Sequence, residues 1–286
     1  MSELTNKLLE DIEKTGFPSE LKVARTFLAN GLQVGQNEHY IDYDDNKGRE
    51  IDISGVQLGM SSAGETKYAV FDLIYAEVKR SLSKPWVIFT SEALWSDLTE
   101  RCLSYGTTFH KRYTLTRQEL FATHPAKRHA RIGRTAYQAF RNKENIEPHI
   151  WVLGAVKASV YKRNAYARGE IPDPMGDPAA ESDLPGFLSL TLTTPLVVLD
   201  GQLYEAYLSK AGPMQLQEQA HIVYSCHYGS PAYRERRYLV DIVTLDNLEG
   251  YLVERRAWLQ RMADFMRDHP QIVSRVEDPQ GSPNAS

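Results

Sequence analysis

The chain has little cysteine and no long apolar segment. Cys102 and Cys226 are its two cysteines in 286 residues, and they lack the spacing of metal ligands. They are therefore interpreted as small buried thiols, without a disulfide framework. No run of about 18 or more apolar residues occurs, which argues against a membrane-spanning helix. The first residues lack the basic start and apolar core of a signal peptide. Together these absences predict a soluble, cytoplasmic protein.

The chain also lacks the excess of positive charge that marks bulk polycations. The net charge is −4, with 42% hydrophobic and 24% charged residues, as is typical of globular proteins. No internal repeat or clear linker divides the chain. We therefore expect a single domain over residues 1–270, with a catalytic core at about 15–105. The Pro-, Gly- and Ser-containing tail at 271–286 is expected to be disordered.

Positive charge is instead concentrated in one segment. Residues 110–143 contain nine Lys or Arg against one acid, Glu119, so the local net charge is +8. This asymmetry indicates a polyanionic partner, although a solvated basic face would look the same. The predicted phosphate contacts are Lys111, Arg112, Lys127, Arg128, Arg131 and Arg134, and the candidate base-stacking groups are Tyr113, Phe121, Tyr137 and Phe140.

Apolar periodicity and turn residues predict an α/β fold. Helices are expected at 3–14, 18–30, 91–105 and 247–268, and residues 150–161 fit either a strand or a helix. Strands are expected at 34–43 and 49–56, joined as a hairpin, then at 68–79 and 86–90. Residues 59–67 are predicted as a flexible turn, and 168–185 as a long loop. Further strands are expected at 195–200, 203–208, 221–228 and 237–245.

An acid and an amine stand two residues apart near the end of the buried strand Tyr68–Lys79. Glu77 and Lys79 should project from the same face, because side chains alternate along a strand. Such a pair forms either a plain salt bridge or half of a metal-dependent site for phosphodiester cleavage. Other residues must distinguish the two.

Two further acids precede this pair. Asp52 lies in the hairpin strand, about 5 Å from Glu77 if the register aligns them. Glu20 lies in the first turn of a helix, where it also suits the helix dipole. Carboxylates so close repel each other unless they share a cation, and Mg²⁺ prefers such oxygen ligands. A metal here would polarise a phosphoryl group, and Lys79 would position or deprotonate the attacking water.

The ordered set, with Arg49-Glu50-Ile51-Asp52-Ile53 followed by Glu77-Val78-Lys79-Arg80, resembles the PD-(D/E)xK nuclease superfamily. The match spans residues 15–90 and departs from the pattern at Ile51, where the motif has proline. The resemblance implies a restriction-endonuclease-like αβββαβ core with a mixed sheet, elaborated in the second half of the chain.

The resemblance also implies a metal site and an activity. Asp52, Glu77, Glu20 and the Val78 carbonyl would bind Mg²⁺, for which Mn²⁺ could substitute, and Lys79 would be catalytic. The implied activity is hydrolysis of nucleic acid, DNA in preference to RNA.

Alternatives stay open at this point. The same fold also serves non-cleaving nucleic-acid-binding or scaffold proteins of defence or repair assemblies. A further possibility is a nuclease that acts as a homodimer, or only with a regulatory protein partner. His110, His124 and His129 could form a second metal site, but their irregular spacing favours solvated or phosphate-facing histidines. His221, Cys226 and His227 are interpreted as packing residues of a core strand. Asp241 is expected either to support the site or to bind neighbouring backbone.

Overall fold

The computed structural model describes residues 2–93, 103–105, 123–140, 147–167, 170, 187–230 and 236–270. Within them the helices are α1 (Glu3–Ile12), α2 (Phe17–Ala29), α3 (Glu147–Ala167) and α4 (Leu248–Asp268). The strands are β1 (Gln33–Asp42), β2 (Lys47–Ala63), β3 (Thr66–Glu92), β4 (Leu103–Tyr105), β5 (Arg131–Gln138), β6 (Phe187–Leu208), β7 (Met214–Glu218), β8 (His221–Tyr228) and β9 (Arg236–Thr244). No described helix has both the length and the apolar character needed to cross a membrane.

The first three strands form an antiparallel meander. The predicted β1–β2 hairpin is confirmed, with Asp42 opposite Lys47. The flexible turn expected at 59–67 is wrong over most of its length, because β2 continues to Ala63 and pairs with β3. The real turn is Gly64-Glu65, and Gly64 adopts a φ of 59°, a conformation that glycine permits without strain. The long pairing fixes the register of β2 against β3.

The mixed sheet is completed by a parallel partner of β3. β6 runs parallel to β3, with Glu77 beside Val197 and Lys79 beside Leu199. The connection between these strands contains α3, so the ambiguous residues 150–161 are helical. Parallel neighbours need such a crossover because a tight turn cannot join them. Strands β5, β8 and β9 link β3 back to β6 through successive pairings.

The helix expected at 91–105 is wrong at both ends. Glu92 ends β3, and Leu103–Tyr105 forms β4 beside β6. Residues 94–102 lie outside the described residues, as do most of the predicted loop at 168–185 and all of the tail at 271–286. The spacing of Leu94, Leu98 and Cys102 is a local signal, whereas long-range pairing sets the structure on either side of them: the end of β3 pairs with β5, and β4 pairs with β6.

The helices cover opposite faces of β3. On one face Leu73 and Tyr75 pack against Ala158 and Tyr161 of α3. On the other face lie apolar residues of β3, α2 and α4: Ile74, Ala76, Val78, Phe27 and Leu252. The α4 helix approaches β2 so closely that a Cβ at Gly59 would lie 2.4 Å from the Leu259 carbonyl carbon. Glu77 and Lys79 therefore face α3, whereas Asp72 faces α4.

A buried ionic network lies on the α4 face. Arg255 pairs with Asp72, whose side chain is fully buried. Asp241 accepts hydrogen bonds from His221 at 2.8 Å and from the Tyr251 hydroxyl at 2.9 Å. Burial alone would raise the pKa of Asp241, but the hydrogen bond and charge of His221 hold it well below its usual value. Asp241 thus links β9 to α4 through side-chain hydrogen bonds. The sequence had suggested either support of the site or a bond to neighbouring backbone, and neither describes this role.

Cys226 was predicted to be a packing residue, and His124 was predicted to be solvated or to face phosphate. Cys226 is fully buried, and burial raises the pKa of its thiol to about 12, as expected of a packing residue. His124 is also buried: its Nδ1 accepts the Ala126 N–H and its ring packs edge-on against Trp258. Burial and the nearby charge of Arg255 lower the pKa of His124 to about 3. His124 is therefore a neutral core group and faces no phosphate.

Acid should destabilise the protein through His124. Its pKa is lower in the folded than in the unfolded chain, so the unfolded state binds the proton first. The free energy of unfolding is then unaffected by this group above about pH 7 and falls as the pH drops through 6.5 toward 3. Between pH 7.5 and 5 this residue should cost about 2 kcal/mol, measurable by urea unfolding.

His124→Asn is the matched variant, because an asparagine oxygen can still accept the Ala126 N–H. Its stability should lose about 2 kcal/mol less than wild type over the same pH change. Equal pH slopes for the two proteins would contradict the assignment.

Candidate active site

The sheet register places Asp52 beside Glu77. At this end the paired part of β2 and β3 finishes with Ile53 opposite Ala76, and Asp52 and Glu77 are the next residues on the two strands. Asp52 Oδ2 accepts the Val78 N–H at 2.7 Å, which ties the carboxylate directly to β3. The hairpin pairing expected from the sequence is therefore confirmed, and two acids from neighbouring strands meet.

Lys79 lies between these two acids. Its Nζ is 3.3 Å from Asp52 Oδ2 and 3.3 Å from Glu77 Oε2. The same ammonium lies 4.0 Å from the centre of the Trp151 ring, a cation–π contact supplied by α3. Asp52, Glu77 and Lys79 thus form one cluster, and α3 holds the amine over it.

The alternation of side chains is broken at Asp52. Regular alternation along β2 predicts that Ile51 and Ile53 share one face, but Ile51 packs with Tyr75 on the α3 side and Ile53 packs on the α2 side. Across the hairpin, Asn37 lies between the partners of these isoleucines and has a φ of 54°. Asparagine tolerates this left-handed conformation better than most residues. The expectation fails because this local irregularity changes the facing of the strand.

Glu20 acts on the cluster electrostatically from the first turn of α2. Burial and then the charge of Asp52 raise the pKa of Glu20. Lys79 opposes this effect, and Glu20 in turn raises the pKa of Glu77. The helix predicted to carry this acid is confirmed as Phe17–Ala29, with Pro18 in its first turn. Three acids from three elements therefore influence one another here.

Glu77 is the most buried acid of the cluster, with 8% of the residue exposed. Burial and the charge of Asp52 raise its pKa to about 7. Crowded carboxylates of this kind suit a hard divalent cation, which would replace proton and ammonium as the compensating charge.

The side chains of the cluster can supply only part of the ligand shell of a metal ion. Among the residues that the structure describes, no three His, Cys, Asp or Glu side chains converge closely enough to hold a metal ion by themselves. Two carboxylates still fit Mg²⁺, which usually takes one or two carboxylates and completes its shell with water and phosphate. Asp52 and Glu77 would supply those two carboxylates. The Val78 carbonyl was expected as a further ligand, whereas the contact that Val78 makes with Asp52 is through its N–H.

An open cleft of about 320 Å³ adjoins the cluster between the sheet and α3. Besides Asp52, Glu77 and Lys79, it is lined by Tyr40, Asp42, Arg49, Glu50, Ile150, Trp151, Leu153, Gly154 and Lys157. Asp42 is almost fully buried and binds Lys157 at 2.9 Å. The cleft is thus mixed in charge, with acids at its floor and Arg49 and Lys157 on its walls.

The α3 contribution was not predicted from the sequence. A signal does exist, because Trp151, Gly154 and Lys157 recur every three residues and so share one face of a helix. This spacing places the three residues on one face only if residues 150–161 are helical, which the sequence alone left open. Arg49, three residues before Asp52, could be placed at the cleft only once the hairpin register was known.

Gly154 of α3 lies close to the Glu77 carboxylate. A Cβ added there would lie 3.1 Å from Glu77 Oε1. Gly154→Ala should displace the Glu77 carboxylate and, where the two carboxylates hold Mn²⁺, lower its affinity about tenfold, a typical effect of disturbing the support of a ligand. The stability of the fold should change little, because the gain of about 1 kcal/mol in helix propensity from alanine offsets the cost of displacing Glu77. Calorimetric titration with Mn²⁺ and urea unfolding measure both quantities.

Gly250→Ala in α4 is the matched control. Its added Cβ would make only an ordinary contact with Asn247, at 3.5 Å. This variant should gain about 1 kcal/mol of stability and bind Mn²⁺ as wild type does. Unchanged Mn²⁺ affinity in Gly154→Ala would contradict the close packing of α3 on Glu77.

The basic segment contributes no described side chain to the cleft lining. Arg131 makes a two-point salt bridge to Glu205 and stacks on Tyr207, while Arg128 pairs with Glu254 of α4. Arg134 donates to Ser91 Oγ at 2.9 Å, and Lys127 follows His124 on a short 3₁₀ helix. Lys111, Arg112, Tyr113 and Phe121, with His110, lie outside the described residues. Tyr137 and Phe140 are described and exposed.

Comparison of the chain with protein-family models, curated proteins and solved structures finds no match.

Proposed function

We propose that this protein is a metal-dependent nuclease that hydrolyses phosphodiester bonds of nucleic acid, DNA in preference to RNA. The observation that carries the proposal is the convergence of Asp52, Glu77 and Lys79 at one point of the β2–β3 pairing, beside an open cleft. A buried carboxylate with a pKa raised to about 7, next to a second acid, is typical of functional rather than structural sites.

The order of elements supports the proposed restriction-endonuclease-like core. Along the chain α2 is followed by the meander β1, β2 and β3, then by the crossover helix α3 and by β6, parallel to β3. This is the order αβββαβ, with β4 and β5 inserted before the helix. The proposed core therefore extends well beyond residues 15–105, because its second helix and last strand come from 147–208.

Each residue has a distinct role in the proposed reaction. Asp52 and Glu77 would hold Mg²⁺, with Glu20 nearby, and the ion when bound would polarise the phosphoryl group and offset its developing charge. Lys79 would orient the attacking water and hold a proton at Nζ, restrained by Trp151. Arg49 and Lys157 on the walls would bind flanking phosphates.

A second candidate is a non-cleaving nucleic-acid-binding or scaffold protein with the same fold. One observation favours it: Lys79 contacts both acids, so the cluster is compensated as a salt bridge without any metal. Under this alternative the three side chains would stabilise the pairing of β2 with β3, and the cleft would serve only for binding.

A cleavage assay distinguishes the two candidates. Wild type would be incubated with plasmid, linear duplex and single-stranded substrates of DNA and RNA, in Mg²⁺, Mn²⁺ or EDTA. We expect cleavage that requires the metal and is faster on DNA. Binding that is unaffected by EDTA, with no cleavage under any condition, would instead support the scaffold function. Size-exclusion chromatography of the active form would show whether a homodimer or a partner is required.

A further inference from the structure

A second cavity adjoins the cleft, on the other side of Tyr40. It has a volume of about 400 Å³ and is lined by His39, Tyr40, Ile41, Tyr43, Gly48, Tyr161, Lys162, Ala165 and Glu170. This volume lies in the range of about 300–1,000 Å³ that small-molecule sites occupy. Tyr40 lines both spaces, so the cavity and the cleft are neighbours across one side chain.

The walls of the cavity are aromatic. Tyr40 and Tyr161 stack with ring centres 5.7 Å apart, and Tyr43 meets Tyr161 edge-on at 5.6 Å. Tyr40 and Tyr161 are almost fully buried, whereas Tyr43 is 44% exposed. Two buried and stacked tyrosine rings, Tyr40 and Tyr161, therefore lie beside the accessible ring of Tyr43. This arrangement suits a planar ligand.

Polar groups are few and lie at the edges. Lys162 at the inner wall donates to Glu38 at 2.8 Å, and the Tyr43 hydroxyl contacts Glu170 at 3.4 Å. His39 completes the polar lining. Apolar walls with a few convergent donors and acceptors match what a heteroaromatic ring with polar edges requires.

The path from cavity to cleft follows β2. Gly48 lines the cavity, Arg49 lines the cleft, and Asp52 lies four residues beyond Gly48, about 13 Å along a strand. Arg49 pairs with Asp42 and Asp45, yet its side chain remains 47% exposed toward solvent. A nucleic-acid strand with a phosphate near Arg49 would therefore direct a neighbouring base toward the tyrosines.

We infer that this cavity, defined by Tyr40, Tyr43 and Tyr161, binds an unpaired nucleobase of the strand that lies in the cleft. The inference rests on the proposed nuclease function and specifies its substrate class. A base within a duplex is stacked on both faces and paired, so it cannot enter a pocket of this kind without leaving the helix. The substrates are therefore single strands, overhangs or flaps, recognised by stacking rather than by sequence.

The test uses 2-aminopurine as a fluorescent base. Single-stranded DNA oligonucleotides carrying it would be titrated with the Asp52→Asn protein, which keeps the substrate intact. Stacking on the tyrosines should quench the fluorescence, and the matching blunt duplex should bind at least tenfold more weakly. Tyr43→Ala in the same background should weaken single-strand binding about tenfold or more. Tyr43→Phe, which keeps the ring, should bind as well as the parent protein.

Leu216→Ala is the control for loss of an exposed side chain, since Leu216 on β7 is 62% exposed and lies outside the linings of both the cleft and the cavity. It should leave single-strand binding unchanged. A loss in Leu216→Ala without a loss in Tyr43→Ala would overturn the inference, as would equal binding of duplex and single strand. Adenosine monophosphate that binds as tightly as the oligonucleotide would also overturn it, because the cavity would then serve a free nucleotide.

The outcomes separate this inference from the nuclease proposal. Metal-dependent cleavage by wild type without 2-aminopurine quenching would overturn the cavity assignment and leave the nuclease proposal standing. Quenching that depends on Tyr43, without cleavage by wild type, would support the cavity and refute the nuclease proposal.

Discussion

Asp52→Asn is expected to abolish metal-dependent cleavage while leaving the fold intact. Asparagine matches aspartate in shape, and its side-chain oxygen can still accept the Val78 N–H that Asp52 receives at 2.7 Å. The negative charge is lost, however, and with it half of the carboxylate pair proposed to hold Mg²⁺. A metal contributes several kcal/mol to phosphoryl transfer, so the rate should fall about 1,000-fold or more.

Two measurements are needed for Asp52→Asn. Initial cleavage rates with Mg²⁺ give the loss of activity, and calorimetric titration with Mn²⁺ should show that binding is lost as well. Urea unfolding should change by no more than about 1 kcal/mol, because the pair with Lys79 is partly exposed.

Glu65→Gln controls for the loss of one negative charge. Glu65 is exposed in the turn at the far end of the same hairpin, and this variant should cleave and bind Mn²⁺ as wild type does. Full activity in Asp52→Asn would refute the proposed site.

Arg255→Met should have the largest effect on stability. Its guanidinium pairs with the fully buried Asp72 and also donates to Thr194 Oγ1. Methionine fills similar space but leaves a carboxylate uncompensated in the protein interior. Breaking a buried pair in this way typically costs about 3–5 kcal/mol. The free energy of unfolding from urea titration at pH 7.5 measures the loss.

The adjacent Arg256 provides the control for this variant. It lies on the exposed side of α4, and Arg256→Met should change stability by no more than about 0.5 kcal/mol. Adding Asp72→Asn to Arg255→Met should recover part of the loss, because it removes the orphaned charge. A cost below about 1 kcal/mol for Arg255→Met would contradict the role assigned to the network.

The elements nearest the site were predictable because their signals are local. Pro18 and Asn30-Gly31 delimit α2, and the turn residues between 44 and 48 fix the β1–β2 hairpin, both of which are confirmed. Alternation along β3 places Glu77 and Lys79 on the same face, as their shared contact shows. These features depend on backbone preferences within a few residues, which a single sequence contains.

Other features required contacts between distant parts of the chain. The crossover helix is Glu147–Ala167, in the connection between the parallel strands β3 and β6, whereas residues 91–105, predicted as a helix, contain strand at both ends. The different facing of Ile51 and Ile53 depends on Asn37 across the hairpin. Arg128 and Arg131, expected to bind phosphate, pair with Glu254 and Glu205. No local pattern indicates such partners.

The sequence by itself determined which acids and which amine belong together. The order Glu20, Asp52, Glu77 and Lys79, with a hairpin between the second and third, follows from short-range turns and strand periodicity. The tertiary structure alone decided what surrounds them: Trp151 over Lys79, Gly154 against Glu77, and the tyrosine cavity beside Tyr40. These contacts join residues at least 72 positions apart in the sequence, and their geometry is set by packing of the whole sheet and its helices rather than by local backbone preference.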